Sequence, residues 1–197
     1  FINKMDRENA DFSGNVVALE QRFGRQCVPT HLPIGSETNF KGIVSVLSPG
    51  QAISQDLAQE VAEAKERLIE AVAEADDNLA TKYLEGETLT EAEIKEGLRK
   101  GVIAGRIVPV IPVSASLVLG VKEFLDTVID YMPSPAEAVS VADPDSPKQI
   151  DETLAALVFK TTADPYVGKI SLFRVYSGTM GSDSQIWNAN KGQAERV

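Results

Sequence analysis

Asn3-Lys4-Met5-Asp6 follows directly on an apolar pair, Phe1-Ile2, at the start of the sequence. At the C-terminal end of a parallel strand, where open α/β sheets hold their ligands, this spacing suits recognition of a purine. A carboxylate presents two acceptors side by side, and guanine presents two donors at the same separation, its N1–H and its exocyclic amine. Asp6 can therefore grip guanine through two charge-assisted bonds, each worth roughly 1.5–3 kcal/mol. Adenine offers a lone pair and a C–H at those positions and leaves a desolvated carboxylate unpaired, which makes discrimination steep. Asn3 is placed to tie neighbouring loops together and reach the purine, and the aliphatic stem of Lys4 can lie along the base plane.

A second stretch supplies a complementary piece. Pro112-Val113-Ser114-Ala115-Ser116 ends a nearly continuous apolar run, "RIVPVIPV" over 106–113, and leads into a helical pattern from Val121. Such a strand–loop–helix turn predicts that the backbone N–H groups of Ser114 and Ala115 face the guanine O6. The phosphate side of a nucleotide site is not in the sequence: no Gly-x-x-x-x-Gly-Lys-[Ser/Thr] string occurs, and Gly168-Lys169 is followed by Ile170. "DFSG" at Asp11–Gly14 mimics a magnesium-sensing Asp-x-x-Gly but follows Asn-Lys-x-Asp in the wrong order, and is read as chance. The single histidine, His31, lies in a proline-flanked strand pattern remote from these residues. No catalytic residue and no metal ligand set is expected within the chain.

The elements that must position these groups can be read from periodicity. Asp11 or Ser13 caps a first helix carrying Phe12, Val16, Leu19 and Phe23, which Gly24 ends. Residues 27–34 and 42–47 read as strands, and a long amphipathic helix is predicted over 56–84 with Leu57, Val61, Ala64, Leu68, Val72, Ala75, Leu79 and Tyr83 on its stripe. Thr90 and Glu93 form a capping box for a shorter helix bearing Ile94 and Leu98. The run over 106–113 reads as a strand buried on both faces. The helix over 121–131 is expected to bury Val121, Phe124, Leu125, Val128 and Ile129 before Pro133 and Pro135 stop it. Residues 134–149 have linker composition. Beyond them short β-rich runs, split by Asp-Pro, Ser-Gly and Asn-Lys-Gly turns, point to an antiparallel barrel-like domain.

The net charge of −10 is concentrated between Asp56 and Glu96. An acidic surface repels nucleic-acid phosphate. It is either a solvated helix face or a docking surface for a basic partner protein, with Glu63, Glu66, Glu70 and Glu74 as candidate contacts. One cysteine, Cys27, allows no internal disulfide, and no apolar run reaches membrane-spanning length.

The stretches "FINKMDRENADF", "LPIGSETNFKGIVSVL", "KYLEGETLTEAEIKEGLRKG", "VKEFLDTVIDYMPSPAE" and "ADPYVGKISLFRVYSGTM" together closely resemble the elongation factor G family, including its elongation factor G-like paralogues. "LPIG…FKGIV" and "ADPYVGK" favour that family over peptide release factor three and the ribosomal protection proteins, which share the guanine motif. The resemblance implies an internal part of a ribosome-associated translational GTPase that drives translocation. It implies GTP/GDP at Asn3, Lys4, Asp6, Ser114 and Ala115, with magnesium bound only in the intact parent. It also implies an α/β fold of three parts: the C-terminal portion of a P-loop-type GTPase domain (1–25 and 106–135), an α+β insert (26–105), and, after a linker (136–150), the start of a β-barrel domain (151–197). Other implications are a cytoplasmic location, the ribosome and its stalk protein as partners, rRNA contact through other domains of the parent, and no membrane. The stretch itself, lacking the phosphate machinery, is expected to be inactive. Two departures stand out. "SPGQAISQDLAQEVAEAK" is shorter than the usual insert and resembles that of the elongation factor G-like paralogues, which leaves main translocase, recycling factor and paralogue all open as the parent. "SASLVLGVKEF" lacks the polar Lys-Asn-Lys run of that loop. The readings outside this family are an acidic interaction module and an unrelated α/β domain with a fortuitous motif.

Overall fold

The computed structural model describes residues 1–50, 53–134, 137 and 153–197, in two units, Phe1–Ala142 and Asp143–Val197. The expected linker over 136–150 lies, apart from Glu137, outside the described residues.

The first unit is organised on a short parallel ladder. Strand β1 (Cys27–Pro29) pairs in parallel with β4 (Val108–Val110), with Val28 opposite Pro109. The chain continues past β4 to make a parallel bridge between Pro112 and Ile2, with Ile2 N donating to Ile111 O at 2.8 Å and Val113 N to Ile2 O at 2.9 Å. Residues 107–113 therefore run between the Ile2 segment and β1. The prediction of burial on both faces holds for Ile107, Val110, Ile111 and Val113 but not for Val108, which is exposed.

The expected single strand over 27–34 is two strands in two sheets. β1 belongs to the parallel ladder, whereas β2 (His31–Ile34) pairs antiparallel with β3 (Gly42–Ser45), joined by a 3₁₀ turn at Glu37–Asn39. The chain changes sheets at Thr30, whose amide still donates to Val110 O while its carbonyl accepts from Val46. His31 is partly buried, its Nδ1 lies 3.2 Å from the Thr30 hydroxyl, and burial pushes its pKa down.

Helix α1 (Phe12–Phe23) starts on Asp11, whose carboxylate accepts from Gly14 N, and buries Phe12 and Val16. The predicted helix over 56–84 is corrected to two helices, α2 (Gln55–Ala75) and α3 (Asp77–Leu84). Asp76 between them is extended and accepts from the amides of Asn78 and Leu79, so the carboxylate ends one helix by capping the next. The apolar stripe survives the break because Val61, Ala64, Leu68, Val72 and Leu79 are all buried. Helix α4 (Glu91–Ile103) opens with the Thr90–Glu93 capping box, in which each side chain reaches the other's backbone N–H. Glu93 also pairs with Lys82 of α3; that bond, ahead of those from Thr90, draws its carboxyl down to about 2. Helix α4 meets α2 closely: a Cβ on Gly97 would lie 2.5 Å from Val72 Cγ1 and 2.6 Å from Leu79 Cδ1.

Helix α5 spans Val121–Tyr131 as predicted, yet its apolar face is not covered as expected. Val121 and Phe124 are partly buried, whereas Leu125, Val128 and Ile129 are exposed. The helix meets the rest of the unit on another side, where Thr127 is buried and Phe124 packs edge-on against Phe1. Gly120, which opens the helix at φ 76°, comes so near the strand end that a Cβ would sit 2.8 Å from Pro112 O.

In the second unit β5 (Ala155–Asp164) and β6 (Gly168–Ser177) form an antiparallel hairpin, and β7 (Gln185–Asn188) and β8 (Gln193–Arg196) form another. The first hairpin turns on Asp164, which accepts from the amides of Tyr166 and Val167. The second turns on Asn188, which accepts from Asn190 and Lys191. These are the turns that Asp-Pro and Asn-Lys-Gly predicted.

The Gly97 contact yields a direct test. Gly97→Ala gains about 1 kcal/mol of helix propensity but forces a methyl into Val72 and Leu79. A net destabilisation of about 1–2 kcal/mol by urea denaturation is expected, and a stabilised variant would show that α2 and α4 are not in this contact.

Candidate functional site

The parallel bridge between Ile2 and Pro112 brings together two loops that leave adjacent strand ends on the same side. Met5 N donates to Val113 O at 3.2 Å and its side chain is buried, which pins the first loop one residue before Asp6. Asp6 and Ser114, separated by 108 residues, are in direct contact: the Ser114 hydroxyl donates to Asp6 Oδ1 at 2.6 Å. The Ser116 hydroxyl donates to Asp6 Oδ2 at 3.1 Å. Asn3 bridges the same loops, its Oδ1 accepting from Ala115 N at 3.0 Å and from Lys4 N at 2.8 Å. All five residues singled out from the sequence are thus in one place.

Their roles differ in part from the sequence reading. The Ser114 amide does not project from the turn. It donates to Leu119 O at 2.9 Å, and Leu119 N returns a bond to Ser114 O at 3.0 Å. Ser114 contributes its hydroxyl instead, from a position with 0% exposure. The Ala115 amide stands at an exposed residue but meets Asn3. Lys4 is exposed in the left-handed region at φ 68°, with its amide satisfied by Asn3. Ser116 was not singled out from the sequence; the only available signal was a third small residue, bearing a hydroxyl, after the strand end.

The electrostatics follow from these bonds. The Ser114 hydroxyl is the largest influence holding the Asp6 carboxyl below the ordinary carboxylate range, with lesser help from its own backbone N–H, Ser116 and Arg7, and against partial desolvation. Arg7 Nε lies 3.6 Å from Asp6 Oδ2 but its side chain is mostly in solvent, so the pair is a weak one. Because the folded pKa is depressed, the interaction is fully present above the unfolded value and is lost only as pH falls through the lower folded one. At neutral pH Asp6 is an anion with both oxygens oriented. Such a group can accept two parallel N–H donors, and it stands outside the clefts along α1 and α2, such as that of about 470 Å³ between Met5, Phe12, Ser36 and Leu57.

The loop that carries the serines is held in an unusual backbone. Val118 has φ 57° and is exposed. A β-branched side chain in the left-handed region costs on the order of 1–2 kcal/mol. The reciprocal Ser114–Leu119 backbone pair and the Leu117 amide, which donates to Ser114 Oγ at 3.2 Å, keep the turn in this form.

The second set of expected contacts lies elsewhere. Glu63, Glu66, Glu70 and Glu74 are exposed on one face of α2. Glu70 and Glu74 border a cleft of about 260 Å³ between α1, β1 and α2, together with Arg25 and Arg67. Glu63 borders the adjoining cleft with Phe12, Val17 and Leu32. The face is of mixed charge, and Arg67 lies 3.8 Å from Glu20 of α1. Among the described residues no cluster of His, Cys, Asp and Glu could hold a metal ion, and no helix is long and apolar enough to cross a membrane.

The strained turn yields the expectation that Val118→Asn stabilises the protein by about 0.5–1 kcal/mol, since Asn visits the left-handed region at lower cost. Chemical denaturation measures it, and a destabilised variant would mean that the Val118 side chain has a packing role.

The chain is similar to known proteins in sequence and in fold. The model of the elongation factor Tu GTP binding domain matches residues 1–134. Among solved structures, a protein from Thermus thermophilus has a TM-score of 0.69 and 23% identity, covering 99% of this chain and 29% of that one. That likeness speaks for the fold, and the chain spans less than a third of the length of the protein it matches. The family match takes in well over half of the residues and both loops of the site, and the chain therefore belongs to the elongation factor Tu GTP binding domain family.

Proposed function

We propose that Asn3, Lys4, Asp6, Ser114 and Ala115 form the base-recognition side of a guanine-nucleotide site. The observation that carries this reading is the contact between Asp6 and Ser114 across adjacent strand ends, at 2.6 Å. A serine that holds one carboxylate oxygen sideways leaves the carboxylate edge to accept guanine's N1–H and amine. The match to a GTP-binding domain family supports GTP and GDP as the nucleotides. Asn3 keeps the two loops at a constant separation, and the Ala115 amide, at an exposed residue, can share its proton with the guanine O6.

The finer reading is a translational GTPase of the elongation factor G type, acting with the ribosome in the cytoplasm. The support is the resemblance in "LPIGSETNFKGIVSVL" and "ADPYVGKISLFRVYSGTM", together with antiparallel hairpins where a β-barrel domain is proposed to begin, at 151–197. In the same reading 1–25 and 106–135 belong to the GTPase domain, 26–105 is the insert and 136–150 the linker. The short insert favours an elongation factor G-like paralogue, and a recycling factor is the further alternative. The 197 residues contain no phosphate loop, so hydrolysis, with its magnesium ion, is assigned to the parent protein.

The test is made in the intact protein that contains these residues. Asp6→Ala is expected to weaken GDP at least tenfold while leaving weak ADP binding unchanged. Equal losses for GDP and ADP would reject base recognition at Asp6. Residues 1–197 alone are expected to show no GTP turnover above an Asp6→Ala control.

A second reading rests on Glu63, Glu70 and Glu74 beside the α1–α2 clefts, as a docking face for a basic segment of a ribosomal stalk protein. Reversing Glu63, Glu66, Glu70 and Glu74 should then abolish salt-sensitive stalk binding, and unchanged binding would reject the assignment.

A further inference from the structure

We infer that Ser116 is a positioning residue for base recognition, fixing the second oxygen of the Asp6 carboxylate so that its open edge meets guanine squarely. The inference rests on the reading of Asp6 as the guanine receptor and goes beyond it by adding a residue and a mechanism for selectivity.

Counting protons separates the two serines. The Ser114 hydroxyl has one proton, given to Asp6 Oδ1 at 2.6 Å, and its lone pairs accept the Leu117 amide at 3.2 Å. It cannot also donate to Ser116 Oγ, which lies 3.3 Å away. The proton in that contact therefore belongs to Ser116, which directs it chiefly at Asp6 Oδ2, 3.1 Å away. Each carboxylate oxygen is thus held by a different hydroxyl. An ionised carboxylate has about four acceptor sites, so two serines leave two for a bidentate partner.

The two holds are not equivalent. Ser114 is buried and locked by the turn, whereas Ser116 is exposed at the tip of the same turn. With Ser114 alone, a single hydrogen bond holds the carboxylate against rotation about its Cβ–Cγ bond. Arg7 Nε, 3.6 Å from Oδ2 on a mostly solvated side chain, would draw it outward. Ser116 opposes that rotation. The left-handed Val118, two residues on, belongs to the turn that presents the hydroxyl. The effect of Ser116 should therefore appear as a loss of alignment, felt most by a ligand that needs both oxygens.

Inosine diphosphate keeps N1–H but lacks the exocyclic amine, which makes the GDP/IDP affinity ratio a readout of two-point alignment. In the intact protein, Ser116→Ala is expected to weaken GDP about three- to tenfold, with less than about a twofold change for IDP. Ser116→Thr, which keeps the hydroxyl, is expected to restore the wild-type ratio. An unchanged GDP/IDP ratio in Ser116→Ala, or equal weakening of GDP and IDP, overturns the inference while Asp6 stays the receptor. Failure of Thr to restore the ratio also overturns it. If Asp6→Ala measured alongside leaves the preference for GDP over ADP intact, the guanine reading itself falls, and this inference with it.

Discussion

The parallel pairing of Ile2 with Pro112 is the constraint on which the site depends. Two main-chain bonds, Ile2 N to Ile111 O and Val113 N to Ile2 O, set the register of two distant segments. From that register Met5 meets Val113, and one residue further on each side the Asp6 carboxylate meets Ser114. A slip of one residue would turn alternate side chains to the opposite face and separate the carboxylate from both hydroxyls. The buried neighbours Met5, Val110, Ile111 and Val113 enclose the pairing on both sides.

The segment between the two loops of the site is part of the same packed body. β1 joins the parallel ladder directly, and α2 and α4 share a buried seam through Leu68, Val72, Ile94 and Leu98. Glu37, in the turn between β2 and β3, accepts the Asn9 amide at 2.9 Å just beyond the Asn-Lys-x-Asp loop. Both Glu37 and Asn9 have left-handed backbones. The loop bearing Asp6 is therefore tied at one end to the parallel ladder and at the other to the β2–β3 turn.

Regular structure and its exceptions divide along functional lines. The α2–α3–α4 region follows ordinary helix chemistry, with Ser54, Asp76 and Thr90 each capping a helix through its side chain. Within the first unit, departures from easy backbone geometry gather around the site: Lys4 and Asn9 in one loop, Glu37 in the turn that braces it, and Val118 in the loop opposite. Strain of this kind persists where the surrounding bonds over-determine the backbone, as the Ser114–Leu119 pair does.

Much of this was legible in the residues. Helix α1 with its Asp11 cap, the Thr90–Glu93 box and the β-hairpin turns are all local, set by side chains within four residues of the backbone they satisfy, and the Val121–Tyr131 helix lies between Gly120 and Pro133 as its period required. The pairing of Asn-Lys-x-Asp with the Ser114 turn was also readable, as two strand ends in the right order. The break at Asp76 was missed because a continuous apolar stripe outweighed a single capping carboxylate, although Asp76-Asp77-Asn78 carries that signal. The division of 27–34 between two sheets could not be read, because a run of apolar residues and prolines does not name its partner strands. The exposure of Leu125, Val128 and Ile129 was hidden for a related reason: amphipathicity marks a face that can be buried, and only the packing of neighbours decides whether it is. At the site itself, residue types determined that a carboxylate, an amide and small hydroxyls were available. Tertiary structure alone decided that Ser114 acts through its hydroxyl and that Ser116 joins it, because a hydroxyl's single proton goes wherever the fold sets the nearest acceptor.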